Sequence, residues 1–162
     1  MYRLITDNFT SHSGKNSAFV SLKKPSANAS NVQILKHNIP FEKSKTYTLK
    51  FWAKLDVRDG RFREFDLVMQ AMDNPVTILL YETVILDSID WKEYVYTFKA
   101  PDDYNGKIWL GLWVGLSDID FWIDDIRFFE GEPSDEIGNI ETIKKLLNKI
   151  LSSASWGGIK RP

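Results

Sequence analysis

An all-β fold, an antiparallel sandwich or barrel followed by an amphipathic helix, is what this sequence predicts. Three observations carry it. Several segments alternate apolar and polar residues with a period of two. Turn-forming pairs punctuate the chain between them: Ser13-Gly14, Lys24-Pro25, Pro40, Asp59-Gly60, Asn74-Pro75, Pro101-Asp-Asp and Asn105-Gly106. After Glu130 the apolar period lengthens from two to that of a helix.

Taken in order, the strands fall between about residues 17 and 129. Ala18–Leu22 and Val32–Leu35 are short and rich in β-formers. In Tyr47–Lys54, Tyr47, Leu49, Phe51 and Ala53 share one face, and Thr48, Lys50, Trp52 and Lys54 the other. Phe65–Ala71 repeats the pattern, and Val76–Tyr81 and Glu93–Lys99 follow. In Lys107–Gly115 the aliphatic set Ile108, Leu110, Leu112 and Val114 opposes Trp109, Gly111, Trp113 and Gly115. Asp120–Phe129 is the last strand. Many short strands separated by turns are the mark of a sandwich or barrel.

Residues 1–131 form the strand-rich unit, and 132–162 form a linker, a helix and a flexible tail. Gly131-Glu-Pro-Ser-Asp-Glu136 is polar, and Ser134 or Asp135 suits a helix cap. Ile137, Ile140, Ile143, Leu147, Ile150 and Leu151 recur at helical spacing, which predicts a helix over about 136–151. It packs on its own domain or docks a partner. Trp156 is the one large residue of the tail.

Composition narrows the function. The 162 residues carry 21 basic and 22 acidic side chains, a net charge of −1, so no general field draws the chain to nucleic acid or an anionic membrane. Without cysteine there is no disulfide, thiol catalysis or thiolate-bound metal. His12 and His37 are the only histidines, too few for a multi-histidine metal site. No apolar run approaches the ~20 residues of a membrane helix, and the N-terminus does not read as a signal peptide. Phosphate loops, nucleophile elbows and zinc-protease motifs are missing. The chain is therefore not expected to be an enzyme. The cluster Asp118, Asp120, Asp124 and Asp125 could serve turns, an ion or a carboxylate pair. Asn8-Phe-Thr10 and Asn28-Ala-Ser30 fit the glycosylation pattern, a weak three-residue signal.

The unusual figure is aromatic: ten Phe, six Trp and six Tyr. If the aliphatic face of Lys107–Gly115 meets the core, Trp109 and Trp113 point outward, unless the C-terminal helix covers them. Indole planes on a free face would stack on sugar rings, with Gly111 leaving room and the N–H groups donating. Gln70, Lys50 and Arg63 lie on strands whose outward faces could supply polar contacts.

The ordered set Ser11-His-Ser-Gly-Lys15, Asn38-Ile-Pro40, Lys45–Lys54, Phe65–Asp73, Trp91–Phe98 and Phe121–Phe128 resembles carbohydrate-binding modules of the galactose-binding-like jelly-roll group, especially xylan and glucan binders. The likeness spans about residues 10–130. It implies an antiparallel jelly-roll sandwich of eight to ten strands, a non-catalytic polysaccharide-binding role beside a glycoside hydrolase, an extracellular setting and a structural calcium. By position, the family's cleft glutamine falls on Gln70, and cleft aromatics fall near Tyr81 and on Trp109. Trp52 matches a general feature of the family and reads as structural. The cleft glutamate falls on Gly111, a departure, and the family's first strand has no counterpart.

The expected site is thus an aromatic groove of Trp109 and Trp113 with Gln70, Tyr81 and Lys50. Calcium is expected near Gly14, Lys15, Asp124 and Asp125, because a turn and a distant Asp pair supply the oxygen ligands it prefers. The alternative is a structural or protein-interaction sandwich, without sugar binding, that docks a partner through its helix and tail.

Overall fold

The computed structural model describes residues 2–57, 60–72 and 77–136. Within them, nine strands form two antiparallel sheets packed face to face. The five-stranded sheet contains β1 (Tyr2–Asp7), β2 (Ser17–Leu22), β9 (Phe121–Glu130), β4 (Thr46–Leu55) and β7 (Lys92–Lys99), paired in that order. The four-stranded sheet runs β3 (Gln33–Phe41), β8 (Gly106–Trp113), β5 (Arg63–Ala71) and β6 (Ile78–Leu86). Consecutive strands repeatedly change sheet, the topology of a jelly-roll sandwich. The predicted helix, beyond Glu136, and the tail with Trp156 lie outside the described residues. Pro133–Glu136 are helical.

Phenylalanine and tyrosine, not tryptophan, fill the space between the sheets. Phe51 and Phe121 are fully buried and flank Phe65, with ring centroids 6.2 and 5.7 Å from it. At the other end Tyr47 stacks on Phe41 at 4.6 Å and on Phe128 at 5.4 Å. The period-two faces read from the sequence therefore sort correctly: Leu49, Phe51 and Ala53 of β4 and Ile108, Leu110 and Leu112 of β8 are all core.

Three details differ from the sequence reading. β1 escapes prediction because its described side chains are largely exposed, which leaves no apolar face to alternate. Pro40 does not stop β3, since β3 is an edge strand where a missing N–H costs little. A bulge there, with Asn38 at φ 60°, re-aims the strand. Arg63, expected on an outward face, is fully buried. Its guanidinium donates to the carbonyls of Val114 (2.6 Å) and Ile119 and lies 4.6 Å over the Phe121 ring. Burial drives its pKa down to about 10.

Candidate functional site

β8 lies between β3 and β5, so its outward residues occupy the middle of the four-stranded sheet's outer face. Registers place Gln33, Trp113 and Asp66 in one row across the strands, Leu35, Gly111, Val68 and Tyr81 in the next, and Trp109 beside Gln70 in a third. Alternation aims all of these away from the core. The structure thus brings together four residues singled out in the sequence: Gln70, Tyr81, Trp109 and Trp113.

Both tryptophans are half-buried. The His37 ring meets Trp109 edge-on at 4.9 Å, and Tyr81 meets Trp113 edge-on at 6.1 Å. The Tyr81 hydroxyl donates to Asp66 Oδ2 at 2.5 Å, and that bond, followed by burial, lifts the phenol above its ordinary pKa. Asp66 is itself only 7% exposed. The indole N–H groups of Trp109 and Trp113 are buried with no acceptor among the described residues. These rings consequently offer carbon surface rather than hydrogen bonds, contrary to the expectation that they donate.

Gly111 does not leave open room either. The Cδ2 of Leu35 stands 2.7 Å from where a Gly111 Cβ would be, and Trp113 Nε1 stands 3.4 Å from that point. A side chain from the neighbouring strand fills the notch. Beyond Trp113 the face ends at a loop carrying one 3-10 turn, Ala29–Asn31. There a cavity of about 350 Å³ is lined by residues 27–30, Asp66, Tyr81, Trp113 and Leu116.

Lys50 is not part of this face. β4 belongs to the five-stranded sheet, so its outward side chains lie on the opposite side of the sandwich. Period two fixes a residue's face but not its sheet. Lys50 pairs there with Glu136, which also accepts from Arg127 at 2.7 Å, and with Glu93 at 3.5 Å. The three tryptophans on that side are half-buried and carry ring contacts of their own. His12 stacks on Trp52 at 3.7 Å, Trp122 lies between Phe19 and the Lys54 ammonium (each 4.9 Å), and Lys54 also caps Trp91 at 5.5 Å.

Asp124 and Asp125 do meet the 11–14 turn, as the metal expectation requires, but with their oxygens already engaged. Asp124 Oδ2 accepts the N–H groups of His12 (2.9 Å) and Ser13 (3.2 Å), and its Oδ1 accepts the N–H of Asp125. Asp125 Oδ2 contacts His12 Nδ1 at 2.7 Å, and Oδ1 accepts from the Ser13 hydroxyl at 2.8 Å. The Gly14 carbonyl accepts from Ser11, and among the described residues no hydrogen bond or ion pair ties Lys15 to the pair. Donors aimed at the carboxylates do the work a cation would do, and the residues as placed do not fit calcium, which needs six to eight oxygen ligands. Among the described residues no three His, Cys, Asp or Glu side chains are grouped to hold a metal.

Sequence reasoning missed Leu35, Asp66 and the loop at 27–30. Asp66 was legible, because it alternates with Val68 and Gln70 on one strand. Leu35 and the loop depend on cross-strand pairing that a single strand's pattern does not encode.

The family model described as carbohydrate binding domain matches residues 4–113. No curated protein matches the chain. Among solved structures, one titled for the structure and function of CBM4 aligns with TM-score 0.65 and 21% identity, covering 80% of this chain and 78% of that one. The C-terminal family 22 carbohydrate-binding module of Clostridium thermocellum Xyn10B aligns with TM-score 0.58 and 17% identity over 80% of each chain. A module–xylanase structure of the same organism, complexed with xylohexaose, aligns with TM-score 0.56 and 16% identity over 81% of this chain and 25% of that one.

Proposed function

This chain belongs to the carbohydrate-binding domain family, and from that premise we propose that the outer face of its four-stranded sheet binds a β-glucan- or xylan-type chain. It is a non-catalytic binding domain. The observation that carries the proposal is convergence: Trp109 and Trp113 from β8, Gln70 and Asp66 from β5 and Tyr81 from β6 reach one surface. Indole and phenol carbon surface packs on the C–H faces of sugar rings. The Gln70 amide and the Tyr81–Asp66 pair face hydroxyls with donors and acceptors in fixed places. On the far side, His12 stacks flat on Trp52 and Lys54 sits over Trp122, whereas His37 and Tyr81 meet Trp109 and Trp113 edge-on.

The xylan-binding and xylanase-linked relatives support a further reading, in which the domain holds a glycoside hydrolase on its substrate outside the cell. Stacking contacts of roughly 0.5–1.5 kcal/mol each give affinities on the order of micromolar to millimolar. Affinity electrophoresis through gels containing single soluble polysaccharides tests the proposal. Xylan or a β-glucan should retard the domain relative to a non-binding standard of similar size. Unchanged mobility across a broad panel of β-glucans and xylans contradicts it.

A further inference from the structure

Resting on that reading, we infer that the site takes the end of a carbohydrate chain rather than its middle. A polysaccharide bound by its interior needs a trough open at both ends. Here one end is walled. The loop after β2 is pinned against the backbone just past Trp113, with Ser26 N–H donating to Gly115 O at 2.7 Å and Gly115 N–H to Ala29 O at 3.0 Å. The approach is so close that a Cβ on Gly115 would stand 2.6 Å from the Asn28 carbonyl oxygen. Val114 N–H donates to Val32 O at 2.8 Å, which fixes the loop's return.

On the other side, Leu35 fills the notch over Gly111 between the two indoles. Trp109 and Trp113 therefore meet separate rings of one chain, on either side of the plug and about 13–14 Å apart along β8. Against the wall, Trp113, Tyr81, Asp66 and the loop line an open cavity of about 350 Å³. That is near the floor of the roughly 300–1,000 Å³ range of small-ligand sites, a size for one or two rings. Polar chemistry agrees with a terminus. A terminal ring carries a free hydroxyl where an interior ring carries its linkage, and the buried carboxylate of Asp66, held by Tyr81, is an acceptor suited to it.

Calorimetric titration of the full chain with xylo- and cello-oligosaccharides of increasing length decides the matter. A chain-end site gives affinities per molecule that change by less than about threefold between three and six rings. Polymer cut into shorter pieces at constant mass should bind more protein. Ser30→Trp, which narrows the cavity, should weaken binding about tenfold or more. Leu35→Ala, which removes the plug, should make affinity rise with length. Affinity that climbs about tenfold or more from three to six rings in the unaltered chain overturns the inference and leaves polysaccharide binding standing. No binding to any member overturns both.

Discussion

Leu35 of β3 occupies the space that a side chain on its cross-strand partner Gly111 would need, its Cδ2 2.7 Å from the position of a Cβ there. The same arithmetic applies at Gly115, where the obstacle is backbone, the Asn28 and Ala29 carbonyl oxygens at 2.6 and 2.7 Å. The two contacts differ in what can yield. A leucine methyl rotates away, whereas a carbonyl moves only with its loop. Gly111→Ala should therefore cost less than about 1 kcal/mol, and Gly115→Ala about 1–3 kcal/mol. Urea unfolding of the two variants measures the difference, and equal losses would contradict it.

Truncating the proposed platform separates binding from folding. Trp109→Ala and Trp113→Ala should each weaken polysaccharide binding about three- to tenfold, the equivalent of one aromatic contact. Their far-ultraviolet circular dichroism should stay unchanged, because both rings lie outside the inter-sheet core. Lys50→Ala should leave affinity alone, because its side chain lies on the opposite sheet, paired with Glu136 and Glu93. Loss of binding in Lys50→Ala would place the site on the wrong sheet.

Much of this was legible in the sequence. Strict alternation in β8 put Trp109 and Trp113 on one face and Ile108, Leu110 and Leu112 on the other. The same rule applied to β5 groups Arg63 with Phe65, Leu67 and Met69, the buried set. Charge suggested a surface residue there, and parity was the better guide. Lys50 failed for another reason: alternation says in or out, while sheet membership comes from long-range pairing. The engaged Asp124–Asp125 pair was legible as a contact with the 11–14 turn but not in its chemistry. Whether a carboxylate accepts N–H groups or binds an ion depends on backbone directions that composition does not carry.

Arg63 is expected to be a structural keystone. Its guanidinium satisfies two buried carbonyls, those of Val114 and Ile119, in the segment linking β8 to β9. Arg63→Met keeps the packing but leaves both acceptors unpaired, a loss of about 2–4 kcal/mol. A chemical melt of the variant checks this, and a stability change under about 1 kcal/mol would show that the carbonyls find other donors.

Chelation should do nothing. Because the Asp124 and Asp125 oxygens already hold donors from His12, Ser13 and the Asp125 backbone, the thermal midpoint should be the same with excess EDTA and with added calcium. An ion bound to the folded state alone would raise the midpoint with its concentration. A calcium-dependent rise would mean that the turn rearranges to take the ion.

The most direct test of where the carbohydrate sits reads the tryptophan indole N–H signals by nitrogen–proton NMR while a soluble xylan or β-glucan oligosaccharide is added. Trp109 and Trp113 should shift with ligand concentration, and Trp52, Trp91 and Trp122, on the opposite side of the sandwich, should hold still. Shifts confined to Trp52, Trp91 or Trp122, with Trp109 and Trp113 unmoved at saturating ligand, would contradict the account.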